Sequence, residues 1–219
     1  MNITNKVIVT GGTGFVGHWM KETQPKGYDA VYLSQSVYDA IPFQDWQGYS
    51  VVHLAPTDPA RAIQAARHTR LLYCSSGIVN HPENDIPYRR DKMHWEADCL
   101  ASGVDCVIAR LYAFAESSKA WRAFDQAARY SEPIIITGDG RTVRTFMHGY
   151  ELGFWMWKIL ERGVNGEAYD VGDEKPVTMI ELAWEMIHKY NQSSQIVIQG
   201  GTDPMPYYVP DMTKTKGLL

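Results

Sequence analysis

A tyrosine and a lysine, Tyr88 and Lys92, stand four residues apart directly after Pro87. In a helix, which a proline at the first position favours, this spacing places a phenol and an ammonium on one face. A free phenol has a pKa of about 10 and exchanges protons poorly near neutrality. A neighbouring cation and the positive end of a helix stabilise the phenolate, so the pair predicts acid/base chemistry. The alternative is a pair of ordinary surface residues.

Two serines, Ser75 and Ser76, end the apolar run Leu71–Cys74, which has the composition of a buried strand. Ligands of open α/β sheets lie beyond the carboxyl ends of the strands, so these hydroxyls are expected to face a ligand. We expect Ser76 to hydrogen-bond the substrate oxygen that Tyr88 protonates or deprotonates. The alternative is that both serines only complete a turn at the end of the strand.

A glycine-rich segment, Gly11-Gly12-Thr13-Gly14-Phe15-Val16-Gly17, follows the apolar run Val7–Thr10 and opens a predicted helix. Gly11 permits the tight turn, Gly14 lets the backbone approach a pyrophosphate, and Gly17 lets the helix pack closely on the strand. No Lys-Ser/Thr pair follows, which excludes a P-loop. This placement predicts a dinucleotide-binding turn.

The same fingerprint expects an acid about 20 residues further on, at the end of the second strand, to hold the adenine ribose. Ser34 and Gln35 stand there instead, so the choice between NAD and NADP is left open. Asp39 lies close enough in sequence to approach the adenine, but a surface carboxylate or a helix cap fits that position equally well.

The elements that must position these residues alternate along the chain, which predicts parallel βαβ units and a Rossmann-type, doubly wound α/β sheet. Predicted strands cover Lys6–Thr10, Ala30–Leu33, Ser50–Leu54, Arg70–Cys74 and Val104–Ala109, and predicted helices cover Phe15–Thr23, Pro59–Arg67 and Tyr88–Leu100. The segment 39–47 is ambiguous. We expect residues 1–115 to form the dinucleotide-binding core.

A smaller C-terminal substrate-binding region, 116–219, is expected to return partly to that core. Its predicted elements are helices at 118–130, 150–162 and from 178 onward, and strands at 133–137 and 168–171. The last helix opens with Thr178 and Glu181, spaced as a capping box. The tail from Gly200 is predicted to be irregular.

Composition excludes several classes of function. With 21 basic and 25 acidic residues the formal net charge is −4, and no basic cluster suggests a nucleic-acid partner. No apolar run approaches the roughly 18 residues of a membrane span, so we expect no membrane partner and a cytoplasmic location. The three cysteines lack metal-ligand spacing, which predicts reduced thiols and no metal site.

Taken together, the glycine turn, the strand end Val52-His53-Leu54-Ala55, the serine pair and Tyr88-x-x-x-Lys92 followed by Glu96 resemble the extended short-chain dehydrogenase/reductases, the nucleotide-sugar epimerases and ketoreductases. The likeness continues through Gly138–His148, Tyr169–Gly172 and Tyr208–Lys214, although the chain is unusually short for that family. The resemblance implies a catalytic triad of Ser76, Tyr88 and Lys92. It also implies an NAD or NADP site formed by Gly11, Thr13, Gly14, Phe15, Val16, Gly17, Ser34, Asp39, Leu54, Ala55, Pro56, Tyr88 and Lys92.

For the substrate, the resemblance implies a nucleotide sugar bound by Ser76, Tyr112 and Arg144, with Arg144 on the diphosphate. The implied activity is a 4-epimerase or a 4-ketoreductase, which the sequence does not separate. A homodimer is implied through the stripe Met93, Ala97 and Leu100. Ser76 and Tyr88 are only twelve positions apart, closer than is usual in the family. A non-catalytic NAD(P)-binding sensor or assembly protein is therefore the alternative.

Overall fold

The computed structural model describes residues 4–42, 46–190, 193–201 and 205–219. Its centre is a six-stranded parallel sheet in the order β2-β1-β3-β4-β5-β8. The strands are β1 (Lys6–Thr10), β2 (Asp29–Leu33), β3 (Ser50–His53), β4 (Arg70–Ser76), β5 (Asp105–Leu111) and β8 (Ala168–Val171). The predicted Rossmann-type parallel sheet is confirmed, and the first strand has the predicted bounds.

Helices cover both faces of this sheet because its strands are apolar on both sides. The helices on the sheet are α1 (Phe15–Glu22), α2 (Gln35–Ala40), α3 (Ala60–Ala65), α4 (Pro87–Ala101) and α6 (Gly149–Arg162), whereas α5 (Lys119–Arg129) packs with the remaining C-terminal elements. Neighbouring residues of β1 point to opposite cores: Val7 and Val9 pack with α1 and α6, and Ile8 packs with α2, α3 and α4.

Two glycines of α6 let it lie close to α1. A Cβ on Gly149 would stand 1.9 Å from Trp19 Nε1, and one on Gly153 would stand 2.4 Å from the Trp19 carbonyl oxygen. The Trp157 indole then donates a hydrogen bond of 2.8 Å to the Met20 carbonyl. Through α6 and β8, the C-terminal half of the chain returns to the central sheet.

The remaining elements form a smaller unit. Strands β6 (Ile134–Ile136) and β10 (Ile196–Ile198) pair in parallel, and β11 (Tyr207–Tyr208), β7 (Val143–Arg144) and β9 (Val177–Thr178) make a second short sheet. Helices α5 and α7 (Met179–Tyr190) pack against each other, and α8 (Thr213–Lys216) ends the chain. The predicted capping box is confirmed, since Thr178 and Glu181 exchange side-chain-to-backbone hydrogen bonds of 2.7 and 3.1 Å.

Three sequence expectations need correction. The ambiguous segment 39–47 begins inside α2, which starts at Gln35 because the Ser34 hydroxyl caps it through the Val37 N–H; residues 43–45 lie outside the described ones. The tail after Gly200 is not wholly irregular, since it contains β11 and α8. The run at 196–198 is a strand that the sequence interpretation did not name.

The three cysteines are unpaired and buried, as predicted. Within the described ranges, no group of His, Cys, Asp and Glu side chains is arranged to hold a metal ion. No helix in the same part of the chain is long and apolar enough to cross a bilayer.

Candidate active site

The glycine turn, residues 11–17, joins β1 to α1 and has the shape of an anion cradle. Gly11 has φ +68°, a backbone conformation that favours glycine. It also lies against the backbone of Ala55, whose nitrogen would be 3.1 Å from a Cβ at position 11. A Cβ on Gly17 would stand 2.4 Å from the Gly12 carbonyl oxygen, so helix and turn are in close contact. Thr13 and Gly14 are exposed, and Phe15 and Val16 are partly buried.

The first turn of α1 is open to an anion. Its N-cap is Gly14, which has no side chain to accept hydrogen bonds from the first-turn N–H groups. These donors and the positive helix end suit a diphosphate, and the exposed backbone of Gly14 gives it access. The residues present therefore fit a dinucleotide.

The carboxyl end of β3 lies directly beside this turn. The Leu54 N–H donates a 3.1 Å hydrogen bond to the Thr10 carbonyl, and Ala55 is buried against Gly11 while Pro56 is exposed. On the other side, the Gly12 N–H donates to the Leu33 carbonyl at 2.8 Å, which brings the end of β2 to the turn.

Ser34 and Asp39, the polar residues expected near the adenine ribose, both use their side chains in hydrogen bonds within the protein. Ser34 uses its hydroxyl to cap α2 and lies 3.1 Å from the Ser36 hydroxyl. The Asp39 carboxylate is exposed and accepts a 2.9 Å hydrogen bond from the Gln35 side chain. The structure thus leaves the choice between NAD and NADP open, as the sequence does.

Ser76 and Tyr88 come together at the carboxyl end of β4. Ser76 is the last residue of β4 and Tyr88 lies in the first turn of α4, where the Ser76 hydroxyl is close enough to the phenol to act on the pKa of Tyr88. The Ser76 oxygen also accepts from the Ile78 N–H at 3.4 Å. The short loop between the two residues is thus long enough to join them, because a 3-10 turn at Gly77–Asn80 folds the chain back.

Lys92 lies beneath this pair and is 3% exposed. Its ammonium donates hydrogen bonds to the Tyr73 hydroxyl at 3.2 Å and to the Cys74 carbonyl at 3.0 Å. The nitrogen stands 6.0 Å from the centre of the Tyr88 ring. The three residues predicted to act together therefore meet at one end of the sheet.

The sequence predicts a lowered pKa for Tyr88, and the structure shows this prediction to be wrong. Burial of the phenol raises the pKa of Tyr88 above 10.0, and the Ser76 hydroxyl only opposes that rise in part. The physical reason is that the Lys92 ammonium is bonded to Tyr73 and Cys74 rather than to the phenol.

A chain of hydrogen-bonded polar groups, of which Glu96 and Tyr112 are buried and Asn80 is exposed, runs behind the site, and we call it the polar network. Arg110 donates two hydrogen bonds to the Glu96 carboxylate, at 3.0 and 2.6 Å, and one to Asn80 Oδ1 at 2.8 Å. The Asn80 amide donates to Asp170 at 3.1 Å and to the Tyr112 hydroxyl at 3.1 Å. The network ties α4, β5, β8 and the 3-10 turn together.

Tyr112 is part of this network, and its expected contact with the substrate stays a prediction. Its hydroxyl donates to Asp170 at 3.1 Å. Its ring packs against Gly77, where an added Cβ would stand 2.4 Å from it. Tyr112 therefore shapes the floor of the site under Ser76.

A cleft of about 350 Å³ opens in the C-terminal unit near the end of β5, with Arg144 in its wall. Arg144 lies on β7 and its guanidinium stands 5.9 Å from the centre of the Tyr208 ring. Tyr208 also lines the cleft, donates to the Leu111 carbonyl at 3.4 Å and lies close enough to the Ser76 hydroxyl for the serine to act on its pKa. Ala113, Ser118, Thr142 and Met205 complete much of the wall.

Sequence reasoning did not single out Tyr73, Asn80 or Tyr208. Tyr73 alone left a usable signal, because it precedes Ser76 by three residues on the strand that ends at the site. Asn80 bonds to Asp170, 90 positions away, and Tyr208 bonds to Leu111, 97 positions away. No local sequence pattern reveals contacts between residues so far apart.

Comparison with known proteins agrees with this fold. No model of a protein family matches the sequence. Among curated proteins, UDP-glucuronic acid decarboxylase 4 of Arabidopsis thaliana is 30% identical over 95 residues, a match that covers 43% of this chain and 21% of the relative. The aligned stretch thus represents about a fifth of the decarboxylase.

Solved structures match over nearly the whole chain. UDP-glucuronic acid 4-epimerase from Bacillus cereus, in complex with UDP-glucuronic acid and NAD, superposes with a TM-score of 0.78 at 16% identity, covering 98% of this chain and 92% of that one. UDP-glucose 4-epimerase from Thermotoga maritima gives 0.78 at 17% identity, covering 97% and 91%.

A third structure, RMD from Pseudomonas aeruginosa complexed with NADPH, gives a TM-score of 0.76 at 20% identity, covering 98% of this chain and 92% of that one. Two of these structural neighbours are nucleotide-sugar 4-epimerases, one of them crystallised with NAD, and the third was crystallised with NADPH. The chain has their fold.

Proposed function

We propose that this chain is an NAD(P)-dependent hydride-transfer enzyme that acts on a nucleotide sugar, as a 4-epimerase or a 4-ketoreductase. The observation that carries the proposal is the meeting of Ser76, Tyr88 and Lys92 at the carboxyl end of β4, on the sheet that also ends in the glycine turn. Neither feature alone would distinguish an enzyme from a binding protein.

The glycine turn would hold the cofactor diphosphate on the first-turn N–H groups of α1, with Leu54, Ala55 and Pro56 beside the turn. The Lys92 ammonium would hold the nicotinamide ribose through its remaining N–H. When bound, the nicotinamide supplies hydride acceptance and donation. One structural neighbour was crystallised with NAD and another with NADPH, and these two structures support either cofactor.

Tyr88 would exchange a proton with the sugar oxygen whose carbon gains or loses the hydride, and Ser76 would orient that oxygen by a hydrogen bond. Because burial raises the pKa of Tyr88, the phenol is protonated at neutral pH in this arrangement and is ready to donate to a ketone. Oxidation of an alcohol needs the phenolate, which the Lys92 cation would stabilise on closer approach.

Residues 116–219 would bind the nucleotide sugar, with α6 and β8 returning to the core. Arg144 in the cleft wall suits a diphosphate, because a guanidinium fork matches phosphate oxygens. UDP-glucuronic acid is the first substrate to test, because a curated relative is a UDP-glucuronic acid decarboxylase and a structural neighbour is a 4-epimerase of the same compound.

The test has two stages. NADH and NADPH are titrated against the protein by fluorescence, and the better cofactor is then assayed with UDP-, dTDP- and GDP-sugars using wild type and Tyr88→Phe. We expect conversion of at least one sugar and a loss on the order of a hundredfold or more in the variant. Equal turnover by the two proteins would remove Tyr88 from the mechanism.

A second candidate is an NAD(P)-binding sensor or assembly protein without turnover. The observation that favours it is Tyr208, whose hydroxyl lies close to that of Ser76, where a substrate oxygen would bind. Cofactor binding with no conversion of any sugar nucleotide, together with an unchanged affinity for sugar nucleotides in Arg144→Ala, would support this candidate.

We further propose that the chain forms a homodimer through α4. Met93 and Leu100 on this helix are 42% and 48% exposed, and Ala97 between them is exposed as well. Such an apolar stripe is suited to pairing with its copy. Sedimentation of wild type and Met93→Glu tests it: the variant is expected to be monomeric, and an identical mass for both would refute the interface.

A further inference from the structure

We propose that Tyr73 is a positioning residue of this site, whose buried hydroxyl fixes the Lys92 ammonium and thereby aims its remaining N–H at Tyr88 and the cofactor ribose. This inference rests on the proposed function, which assigns Lys92 to the site. Tyr73 does not itself touch the reacting atoms, so its effect would pass through Lys92.

The geometry begins on β4. Tyr73 is fully buried, and its hydroxyl accepts the hydrogen bond from Lys92 Nζ at 3.2 Å. The next residue, Cys74, supplies a carbonyl to the same nitrogen at 3.0 Å. An ammonium has three N–H donors, so β4 takes two and leaves one. The direction of that third donor is set by the two fixed bonds.

The charge of Lys92 has no direct acid partner. Of the described residues, no carboxylate forms a salt bridge with Lys92, and the nearest on its own helix, Glu96, is engaged with Arg110. Aromatic rings surround the ammonium instead, with centres at 5.1 Å for Tyr73, 5.4 Å for Trp95 and 6.0 Å for Tyr88. Ring faces and the Tyr73 hydroxyl together stabilise the buried cation.

Several titratable groups face Lys92. Strand β4 contributes Tyr73 and Cys74, and helix α4 contributes Tyr88, Glu96 and Cys99. Strand β3 contributes His53, whose ring centre lies 6.1 Å from that of Tyr73. Arg110 of β5 acts through its salt bridge with Glu96.

The neighbouring groups differ in how they act on the lysine. Burial lowers the pKa of Lys92, and Cys74, Glu96 and Cys99 oppose that fall. His53 is neutral near pH 7, since burial lowers its pKa to about 4. The Tyr73 hydroxyl accepts a stronger, charge-assisted hydrogen bond from the ammonium than from the neutral amine, so without it the ammonium would release its proton at lower pH.

The experiment compares wild type, Tyr73→Phe and the matched control Tyr169→Phe. Tyr169 is 2% exposed on β8, and its hydroxyl accepts one hydrogen bond of 2.8 Å from the Val164 N–H, so the control also removes one buried hydroxyl. The pKa of Lys92 is measured by NMR of protein labelled at lysine Cε, with the signal assigned through Lys92→Arg.

We expect the pKa of Lys92 to fall by about one unit in Tyr73→Phe and to stay unchanged in Tyr169→Phe. In the turnover assay, the alkaline limb of the kcat profile should move to lower pH by a similar amount. A purely structural role would lower the melting temperature in both variants without moving either readout.

An unchanged Lys92 pKa in Tyr73→Phe would overturn the inference, as would an equal shift in the two variants. Absence of turnover in wild type would count against the proposed function alone, because the NMR titration still reports on Tyr73. If Tyr73→Phe does not fold, 3-fluorotyrosine at position 73 keeps the ring and weakens the acceptor, and a smaller fall in the same pKa is expected.

Discussion

Two buried charges lie one turn apart on α4 and are satisfied in different ways. Glu96 is 5% exposed and accepts two hydrogen bonds from Arg110, whose third contact is Asn80. Lys92 is 3% exposed, and its ammonium contacts a hydroxyl, a carbonyl and three ring faces but forms no salt bridge with a carboxylate of the described residues. One charge is neutralised by its partner and the other is not.

The difference separates a structural charge from a functional one. A paired carboxylate joins α4 to β5 and gains stability from being fixed. An ammonium without an acid partner costs stability when it is buried, but its positive charge and its remaining N–H donor stay available to a ligand. The same helix therefore carries an anchor at Glu96 and a reactive group at Lys92.

The largest expected effect tests the anchor. Glu96→Ala would leave the Arg110 guanidinium partly buried without its carboxylate, and we expect the free energy of unfolding to fall by roughly 3–5 kcal/mol, towards the lower end because Arg110 is partly exposed. Urea unfolding followed by circular dichroism measures it. The control is Asp85→Ala, which removes an exposed pair with Arg90 at 3.7 Å and should change little. Equal losses in the two variants would contradict the contrast.

His53, a second buried base near Lys92, makes the free energy of unfolding depend on pH. Burial lowers the pKa of His53 from 6.5 to about 4, so as the pH falls the unfolded chain takes up a proton before the folded one does. Stability is complete above pH 6.5 and should decline by about 3 kcal/mol on the way to pH 4. Urea unfolding at several pH values should show a flatter dependence in His53→Gln, and an identical slope would exclude His53 as its source.

The third prediction separates function from stability at Lys92. Because the pKa of Lys92 is lowered, the folded protein holds this proton less firmly than the unfolded chain, and its charge costs stability at neutral pH. Lys92→Met should therefore weaken NADH binding about tenfold without lowering the melting temperature. The exposed Lys175→Met should change neither quantity. A melting temperature several degrees lower in Lys92→Met would show that the ammonium is structural after all.

The smallest effect lies at the far end of the polar network. Burial raises the pKa of Asp170, and its carboxylate accepts from Asn80, Tyr112 and the Asp211 N–H. Asp170→Asn keeps the shape but weakens these acceptors, so a loss of about 1 kcal/mol is expected in urea unfolding. Loss as large as that of Glu96→Ala would mean that the anchor is the whole network and not the Glu96–Arg110 pair.

Sequence reasoning succeeded where a local rule governs the structure. The glycine turn, the buried parallel strands and the four-residue spacing on α4 each depend on residues close in the chain, so β1, α1 and α4 agree with the prediction to within one or two residues. The likeness of Ser76, Tyr88 and Lys92 to a triad was also readable, although their roles in this chain stay proposals.

What the sequence could not show depends on tertiary contacts. The binding of Lys92 by Tyr73 and the burial that raises the pKa of Tyr88 both follow from how α4 packs on β4. Short strands such as β7, β9 and β11 have two residues each, too few for any period. The commitment of Tyr112 to Asp170 joins residues that are 58 positions apart.

The central claim is that Tyr88 moves a proton at a nucleotide sugar bound beside a nicotinamide. Its most direct measurement is a single-turnover reaction of the protein loaded with oxidised cofactor and mixed with UDP-glucuronic acid, in wild type and Tyr88→Phe, following the near-ultraviolet absorbance of reduced nicotinamide. We predict that reduced cofactor forms in wild type and forms on the order of a hundredfold more slowly in the variant, with cofactor affinity unchanged. The same rate in both proteins would contradict the account.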